Sequence, residues 1–165
     1  MSRIAHITWT TLGAWLPGDP RGFRSIGHRV YSSGDHRSPP PAAEHAGLRV
    51  NAAAKVSRVV ALDDDARRIV GDAMVHKLEK MNRHAHAIAV GREHVHLLVY
   101  VWADDAKLIA RDVKRAASHA VRERLPGTIW ARGCAVKRCN DEAHVEAAKA
   151  YVLRHTREGA WVWGG

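Results

Sequence analysis

Two histidines in one strand-like stretch are the first residues that could do chemistry. GREHVHLLVYV, residues 91–101, carries His94 and His96 in a run that otherwise has the composition of a buried β-strand. Side chains alternate between the two faces of a strand, so both imidazoles project from the same face. They are either polar residues of a half-exposed strand or two ligands of a metal site. His84 and His86 have the same spacing, and we do not assign a metal to them. The spacing alone therefore does not distinguish a metal site from two ordinary polar residues.

A second stretch supplies a candidate third ligand and a candidate nucleophile. In AYVLRHTRE, residues 150–158, Tyr151 and His155 stand four residues apart and share one helical face. If this helix packs beside the histidine strand, His155 completes a three-histidine site and Tyr151 lies one turn away. A phenol, whose pKa is near 10, attacks a phosphodiester when a metal polarises the phosphate. The alternatives are a tyrosine packed as a core amphiphile and a histidine that complements the helix dipole.

Hydrophobic periodicity predicts the elements that must position these residues. The order is strand, long loop, helix, strand, strand, helix, strand, helix. Two helices that cross between strands of one sheet give an α+β fold, with a ferredoxin-like antiparallel β-sheet and packed helices. We therefore expect a single domain over residues 1–165 with a long irregular insertion at about 17–60. The predicted elements are a strand in 3–15, helices at 63–81, about 104–125 and about 141–158, a hairpin around 91–93, and a strand region in 129–139.

The charge of the chain indicates a polyanionic partner. Its 26 Lys and Arg exceed its 17 Asp and Glu, which gives a net charge of +9 and a pI of about 10.2. Such an excess on one small domain favours nucleic acid, and few acids interrupt the basic stripe of the second helix. The same stripe would also suit an ordinary solvated face. The candidate DNA-binding residues are Lys107, Arg111, Lys114, Arg115, Trp130, Arg132, Lys137 and Arg138.

Cysteine usage and hydropathy bound the setting. The two cysteines, Cys134 and Cys139, are spaced C-x4-C without a second pair, which makes a zinc ribbon a poor interpretation. Residues 1–15 lack the apolar core of a signal peptide, and no apolar run has the length of a membrane span. We expect a cytoplasmic protein that has no membrane partner.

These motifs together resemble a family. HVH followed by LLV is similar to the HUH motif of single-strand DNA nickases and transposases, a histidine, a bulky hydrophobe and a histidine. The chain resembles the single-tyrosine transposases of small bacterial insertion sequences, including their REP-associated relatives. WTTLGAWLPGDPRG, IWARG and YVLRH resemble the start, the segment after the second helix and the tyrosine helix of that family, so the resemblance covers most of the chain.

The resemblance implies a function and a site. His94 and His96 would be metal ligands, His155 the third ligand and Tyr151 the nucleophile that forms a 5′-phosphotyrosine in single-stranded DNA. The cofactor would be Mg²⁺ or Mn²⁺, and the third imidazole, where relatives have an amide, also suits Co²⁺ or Zn²⁺. The substrate would be a DNA hairpin at an element end. The family includes dimers and monomers, so a homodimer is compatible with it. Arg92 and Glu93 depart from the Pro and Asn of many relatives.

Three classes of function stay open at this stage. The first is a metal-dependent DNA-cleaving and strand-transferring enzyme. The second is a domesticated protein that binds structured single-stranded DNA and has lost mobility. The third is an RNA-binding ferredoxin-like module, which would place several aromatic residues on the sheet face. The histidine face carries few aromatic residues, which disfavours the third class.

Overall fold

The computed structural model describes residues 3–20, 23–25, 28–30, 43–102 and 105–165. The chain forms seven strands and four helices over these residues, and a 3₁₀ turn at His155–Glu158 follows the last helix. The strands are β1 Ile4–Thr10, β2 Phe23–Ser25, β3 His28–Val30, β4 Ala85–Val90, β5 His94–Tyr100, β6 Ala135–Arg138 and β7 Trp161–Gly164. The helices are α1 Ala46–Ala54, α2 Asp64–Lys80, α3 Ala106–Val121 and α4 Glu142–Arg154.

Five strands form one antiparallel sheet in the order β6-β1-β5-β4-β7. Within it, β1, α2, β4, β5, α3 and β6 follow each other as in the ferredoxin-like arrangement, with β1 and β5 in the centre. The predicted α+β class with a ferredoxin-like antiparallel sheet and packed helices is confirmed. The β5 strand lies inside the sheet because it pairs with β1 on one side and with β4 on the other.

The helices cover both faces of this sheet. Helices α2 and α3 pack on each other and on one face, where α2 contacts β4 and β7 and α3 contacts β1. Helix α4 packs on the opposite face through Val145, Ala148 and Val152, which join a buried cluster with Leu98 of β5. Since Leu98 lies on the same face as His94 and His96, α4 covers the histidine face. This is the packing that the three-histidine hypothesis requires.

Acidic side chains cap two of the three helices that were predicted from the sequence, α2 and α4. The Asp63 side chain accepts a hydrogen bond from the backbone N–H of Ala66 at 2.8 Å, and Asp141 accepts one from the N–H of His144 at 2.7 Å. Each carboxylate satisfies a backbone donor that has no partner within its helix. Helix α4 thus starts at the predicted place, immediately after Asp141.

Several elements differ from the sequence-based prediction, and strands β2 and β3 lie, like helix α1, inside the segment that we expected to be irregular. Helix α1 lies inside the segment that we expected to be irregular, and it has no buried residue, so its sequence carries no apolar periodicity to detect. Strand β7 was not predicted, and Trp161–Gly164 adds to the sheet beside β4. The first strand also ends earlier, at Thr10, because the chain then turns through Gly13 at a φ of +77°. Residues 21–22, 26–27 and 31–42 of the expected insertion lie outside the described part.

The chain divides into two compact units. Met1–Thr11 and Ala61–Gly165 form the larger unit, which contains the five-stranded sheet, helices α2 to α4 and every candidate site residue. Leu12–Val60 form the smaller unit, with the β2–β3 pair and α1. Among the described residues, no helix combines the length and the apolar character that crossing a bilayer would need.

Candidate metal centre and nucleophile

Strand β5 presents two histidines toward α4. His94 pairs with Thr10, and His96 pairs with Thr8 of β1 and with Ala89 of β4. Pairing on both sides fixes the register, and a slip by one residue would turn both imidazoles to the other face. His96 is 8 % exposed, so its ring lies almost entirely inside the protein.

The end of α4 supplies the other two predicted residues. Tyr151 lies in the last turn of α4, and His155 begins the 3₁₀ turn that follows it. His155 is 5 % exposed, whereas Tyr151 is 42 % exposed. The helix therefore points the imidazole into the protein and leaves the phenol accessible from outside.

The structure brings the three histidines together. One ring nitrogen from each of His94, His96 and His155 lies within 4.8 Å of the others, which is a spacing that one metal ion could bridge. The ring centroids of His96 and His155 are 4.3 Å apart. The Tyr151 ring lies next to this cluster, at 4.9 Å from the His155 centroid and 5.5 Å from that of His96. The four side chains thus lie together, as the hypothesis of a helix packed beside the histidine strand requires.

The hydrogen bonds of His155 define its tautomer. Its Nδ1 lies 3.0 Å from the carbonyl oxygen of Tyr151 and 3.1 Å from that of Val152. A carbonyl oxygen only accepts, so Nδ1 must carry the proton and donate it. The Nε2 of the neutral ring then has a free lone pair. Metal-binding histidines commonly donate their second nitrogen to a backbone carbonyl in this way, so the arrangement fits a ligand.

The surroundings of His96 favour its neutral form. Burial lowers the pKa of His96 far below the usual value, and the neighbouring His155, His94 and His6 lower it further. A neutral imidazole is the form that binds a metal ion. Imidazole nitrogens are donors of intermediate softness, so three of them suit an ion such as Co²⁺ or Zn²⁺ better than the harder Mg²⁺ or Mn²⁺.

The position of His94 depends on the turn of the β4–β5 hairpin. The N–H of Gly91 donates to the carbonyl oxygen of His94 at 2.8 Å and closes the turn. A Cβ at Gly91 would lie 3.2 Å from Cε1 and 3.4 Å from Nε2 of the His94 ring. The His94 imidazole thus folds back over a residue that has no side chain.

A fourth histidine, His6 of β1, belongs to the same cluster and was not predicted. Its Nε2 lies 3.0 Å from the Nδ1 of His96, and the two rings stack at a centroid distance of 5.1 Å. Burial, with His155, Lys137 and His144 nearby, lowers the pKa of His6 to about 4. His6 has no motif partner in the sequence. The one available signal was a polar residue in an alternating strand, and its meaning depends on the register between β1 and β5.

The predicted basic residues lie on both sides of the sheet. Lys107, Arg111 and Arg115 are exposed along α3, on the side opposite the histidines. Lys137 of β6 pairs with His6, so it lies on the histidine face at the edge of the sheet, whereas Arg138 pairs with Ala5 on the other face. The structure does not gather these residues into one patch around the nucleophile.

Two of the predicted DNA-binding residues have structural contacts instead. Trp130 is 6 % exposed, packs edge-on against Trp9 at 6.1 Å, and donates its indole N–H to the carbonyl of Lys114. A buried ring offers no free face to a base, so stacking by Trp130 does not fit this structure. The Lys114 ammonium donates to the carbonyls of Ala131 and Gly133 at 2.7 and 3.0 Å, and burial lowers its pKa. Arg132, which lies between Ala131 and Gly133, is exposed.

Two further residues near the predicted ones were missed. The Arg154 guanidinium lies 5.3 Å from the centroid of the Tyr151 ring, beside the proposed nucleophile. Trp102 is 52 % exposed just beyond the end of β5, and the Arg3 guanidinium lies 5.1 Å above its ring. Arg154 stands within the YVLRH motif and could have been named from the sequence. Trp102 has no periodic pattern around it that separates an exposed ring from a buried one.

Known proteins resemble this chain in fold rather than in sequence. No protein-family model matches it, and no curated protein does. A solved structure of a REP-associated tyrosine transposase bound to a REP hairpin aligns with 96 % of this chain and 70 % of that one, at a TM-score of 0.51 and 12 % identity. The chain has the fold of that transposase. At 12 % identity the likeness shows a shared α+β fold and leaves the activity to the residues described above.

Proposed function

We propose that the protein is a metal-dependent single-stranded DNA endonuclease and transposase of the HUH type. His94, His96 and His155 would hold a divalent metal ion, and Tyr151 would be the nucleophile. The observation that carries this proposal is the three-histidine cluster with an accessible tyrosine beside it. The fold shared with a hairpin-binding transposase supports it. All of these residues come from one chain, so the site is complete without the homodimer that the resemblance allows.

The chain's own residues account for most of the proposed chemistry. A bound divalent ion would polarise the scissile phosphate and offset the charge that develops on it. The Tyr151 oxygen forms a bond to phosphorus, and the bond from phosphorus to the 3′ oxygen of the preceding nucleotide breaks. Because Tyr151 is exposed, its proton passes to water, and the leaving oxygen takes up a proton as a 3′-hydroxyl. The resulting phosphotyrosine keeps the energy of the broken bond for rejoining.

The position of Arg154 fits this reaction. Its guanidinium lies beside the Tyr151 ring at the open side of the site. An arginine presents several donors in a fixed fork that suits a phosphate. We propose that Arg154 contacts the DNA backbone next to the cleaved bond, and that the exposed Lys107, Arg111 and Arg115 contact backbone farther away. The exposed ring of Trp102 is the proposed platform on which an unpaired base stacks.

The experiment that tests the proposal detects the covalent intermediate. Labelled single-stranded DNA hairpins from the sequence flanking the gene are incubated with protein in Mn²⁺ or in EDTA and analysed on a denaturing protein gel. We expect a DNA-linked protein band that requires Mn²⁺ and disappears in Tyr151→Phe. Tyr100→Phe is the matched control, because Tyr100 lies on the same face of the sheet but beyond the cluster. That control should keep the band.

Two outcomes would contradict the proposal. An adduct that survives in Tyr151→Phe would remove the nucleophile, and one that forms equally in EDTA would remove the metal. If no hairpin gives an adduct but the wild-type protein binds hairpins tightly, the domesticated DNA-binding protein becomes the better interpretation.

A further inference from the structure

We propose that His6 is a positioning residue for the metal centre. Its Nε2 accepts the Nδ1–H of His96 and so leaves the Nε2 of His96 deprotonated and available as a ligand. This inference rests on the proposed metal site and adds a residue to it that no sequence motif contains. His6 would act on the metal through His96 and would not bind the metal or the DNA itself.

The hydrogen bond between the two rings has two arrangements, and only one of them suits a metal ligand. The nitrogens of His6 and His96 lie 3.0 Å apart, so one of them carries the proton. If His6 donates, the neutral His96 carries its own proton on Nε2, and that nitrogen cannot bind a metal. If His96 donates from Nδ1, its Nε2 lone pair is free. In the second arrangement His96 donates its Nδ1 proton to an acceptor, as His155 donates its Nδ1 proton to two backbone carbonyl oxygens.

The sheet explains why the partner of His96 is a side chain. Both neighbours of β5 are paired strands, so their backbone carbonyls near His96 are engaged in the sheet. An acceptor above the sheet must come from a side chain on the same face. His6 stands diagonally across from His96, two residues before Thr8 on β1, at a separation that a long side chain spans.

The two rings also pack against each other. They stack at an interplanar angle of 27° with centroids 5.1 Å apart, which restricts how His96 turns about its side-chain bonds. The stacking and the hydrogen bond together hold the imidazole of His96 in one orientation.

The test compares three variants and has a readout that does not require DNA cleavage. His6→Leu removes the acceptor but keeps an apolar side chain of moderate size, and His6→Gln restores an acceptor oxygen. His76→Gln is the matched control, since His76 is exposed on α2 on the other side of the sheet. Co²⁺ affinity is measured from its visible absorption at pH 7.5. The tautomer of His96 is read from ¹⁵N NMR of the metal-free protein.

We expect His6→Leu to bind Co²⁺ about 10–100-fold more weakly, which is the usual loss when the outer partner of a metal-binding histidine is removed. His6→Gln should recover most of that affinity, and His76→Gln should match the wild type. In the metal-free wild type, the proton of His96 should be on Nδ1. In His6→Leu this single tautomer should be lost while the melting temperature in EDTA shows that the fold is retained.

Several results would overturn the inference. One is equal Co²⁺ affinity in the wild type, His6→Leu and His6→Gln, which would leave the metal site in place without a role for His6. Another is a wild-type His96 that carries its proton on Nε2. If no protein in the series binds Co²⁺, the proposed metal site itself fails and the inference fails with it. Equal binding and absent binding are easily told apart, so the two failures are distinguishable.

Discussion

The contact between helix α2 and the unpredicted strand β7 gives a prediction whose magnitude follows from the structure. Gly71 is buried in the interior of α2, directly against the ring of Trp161. A Cβ at this position would come within 2.5 Å of Cδ2 of the ring and closer to its neighbouring atoms. Ordinary contacts between carbon atoms are about 3.5–4.0 Å, so in Gly71→Ala the ring or the helix must retreat by about 1 Å.

Two opposing terms determine the size of the effect. Overpacking of a tight contact costs about 1–3 kcal/mol, and a rigid indole in a paired strand favours the upper end. Replacing a glycine inside a helix by alanine contributes about 1 kcal/mol in the other direction. The free energy of unfolding of Gly71→Ala should therefore fall by about 2 kcal/mol. For a chain of this size that corresponds to a melting temperature about 4–8 °C lower.

A double-mutant cycle with Trp161→Ala isolates the cause. Without the indole, the added methyl group meets no ring, so Gly71→Ala should then stabilise the protein by about 1 kcal/mol. The coupling between the two positions would be about 3 kcal/mol, measured by urea unfolding followed by far-ultraviolet circular dichroism. If Gly71→Ala costs the same with and without the indole, β7 does not pack against α2 as described. An unchanged or raised stability of the single variant would refute the reasoning as well.

Three further predictions concern the site and the basic surface. Gly91→Ala should crowd the His94 ring and weaken Co²⁺ binding several-fold while β5 stays paired, which a Co²⁺ titration checks and an unchanged affinity would contradict. In EDTA, the contribution of His6 to the free energy of unfolding should be fully present above pH 6.5 and should be lost as the pH drops toward 4. The reason is that His6 has a lower pKa in the folded protein than in the unfolded chain, so the unfolded chain takes up the proton first. The slope of the free energy of unfolding against pH is at most about 1.4 kcal/mol per pH unit for one histidine, and it is smaller for a part-buried ring. His6→Gln should reduce this slope, as measured by urea unfolding at pH 7, 6 and 5. Arg115→Ala should lower the slope of log affinity for hairpin DNA against log salt by about 1, whereas the exposed Arg68→Ala on α2, with its partner Asp72 at 3.7 Å, should leave it unchanged.

The sequence could predict which element faces carry His94, His96, Tyr151 and His155 because two periodicities placed them. A period of two put His94 and His96 on one strand face, and a period of 3.6 put Tyr151 and His155 on one helix face. The acidic caps at Asp63 and Asp141 could be placed for a similar reason, since a cap depends on a few neighbouring residues. Local rules of this kind need no knowledge of which elements lie next to each other.

The parts that could not be predicted depend on long-range pairing or on the lack of a buried face. His6 matters only through the register that places β1 beside β5, 90 residues away in the chain. Strand β7 is four residues long and becomes a strand through its pairing with β4. Helix α1 has no buried residue, so it leaves no pattern in the sequence. The burial of Trp130 likewise follows from its contact with Trp9, which no spacing of residues reveals.

The contrast in exposure between Tyr151 and its neighbours has a consequence for selectivity. His155 and His96 lie inside the protein at 5 % and 8 % exposure, but Tyr151, the proposed nucleophile, lies on the surface at 42 %. A surface nucleophile does not sort substrates by size, as a closed pocket does, because any flexible phosphodiester strand reaches it. Discrimination must then come from contacts far from the broken bond, whose binding energy places the strand at the tyrosine. If the protein cleaves DNA as proposed, altering those distant contacts should therefore redirect it to new DNA targets without any change to Tyr151 or the three histidines.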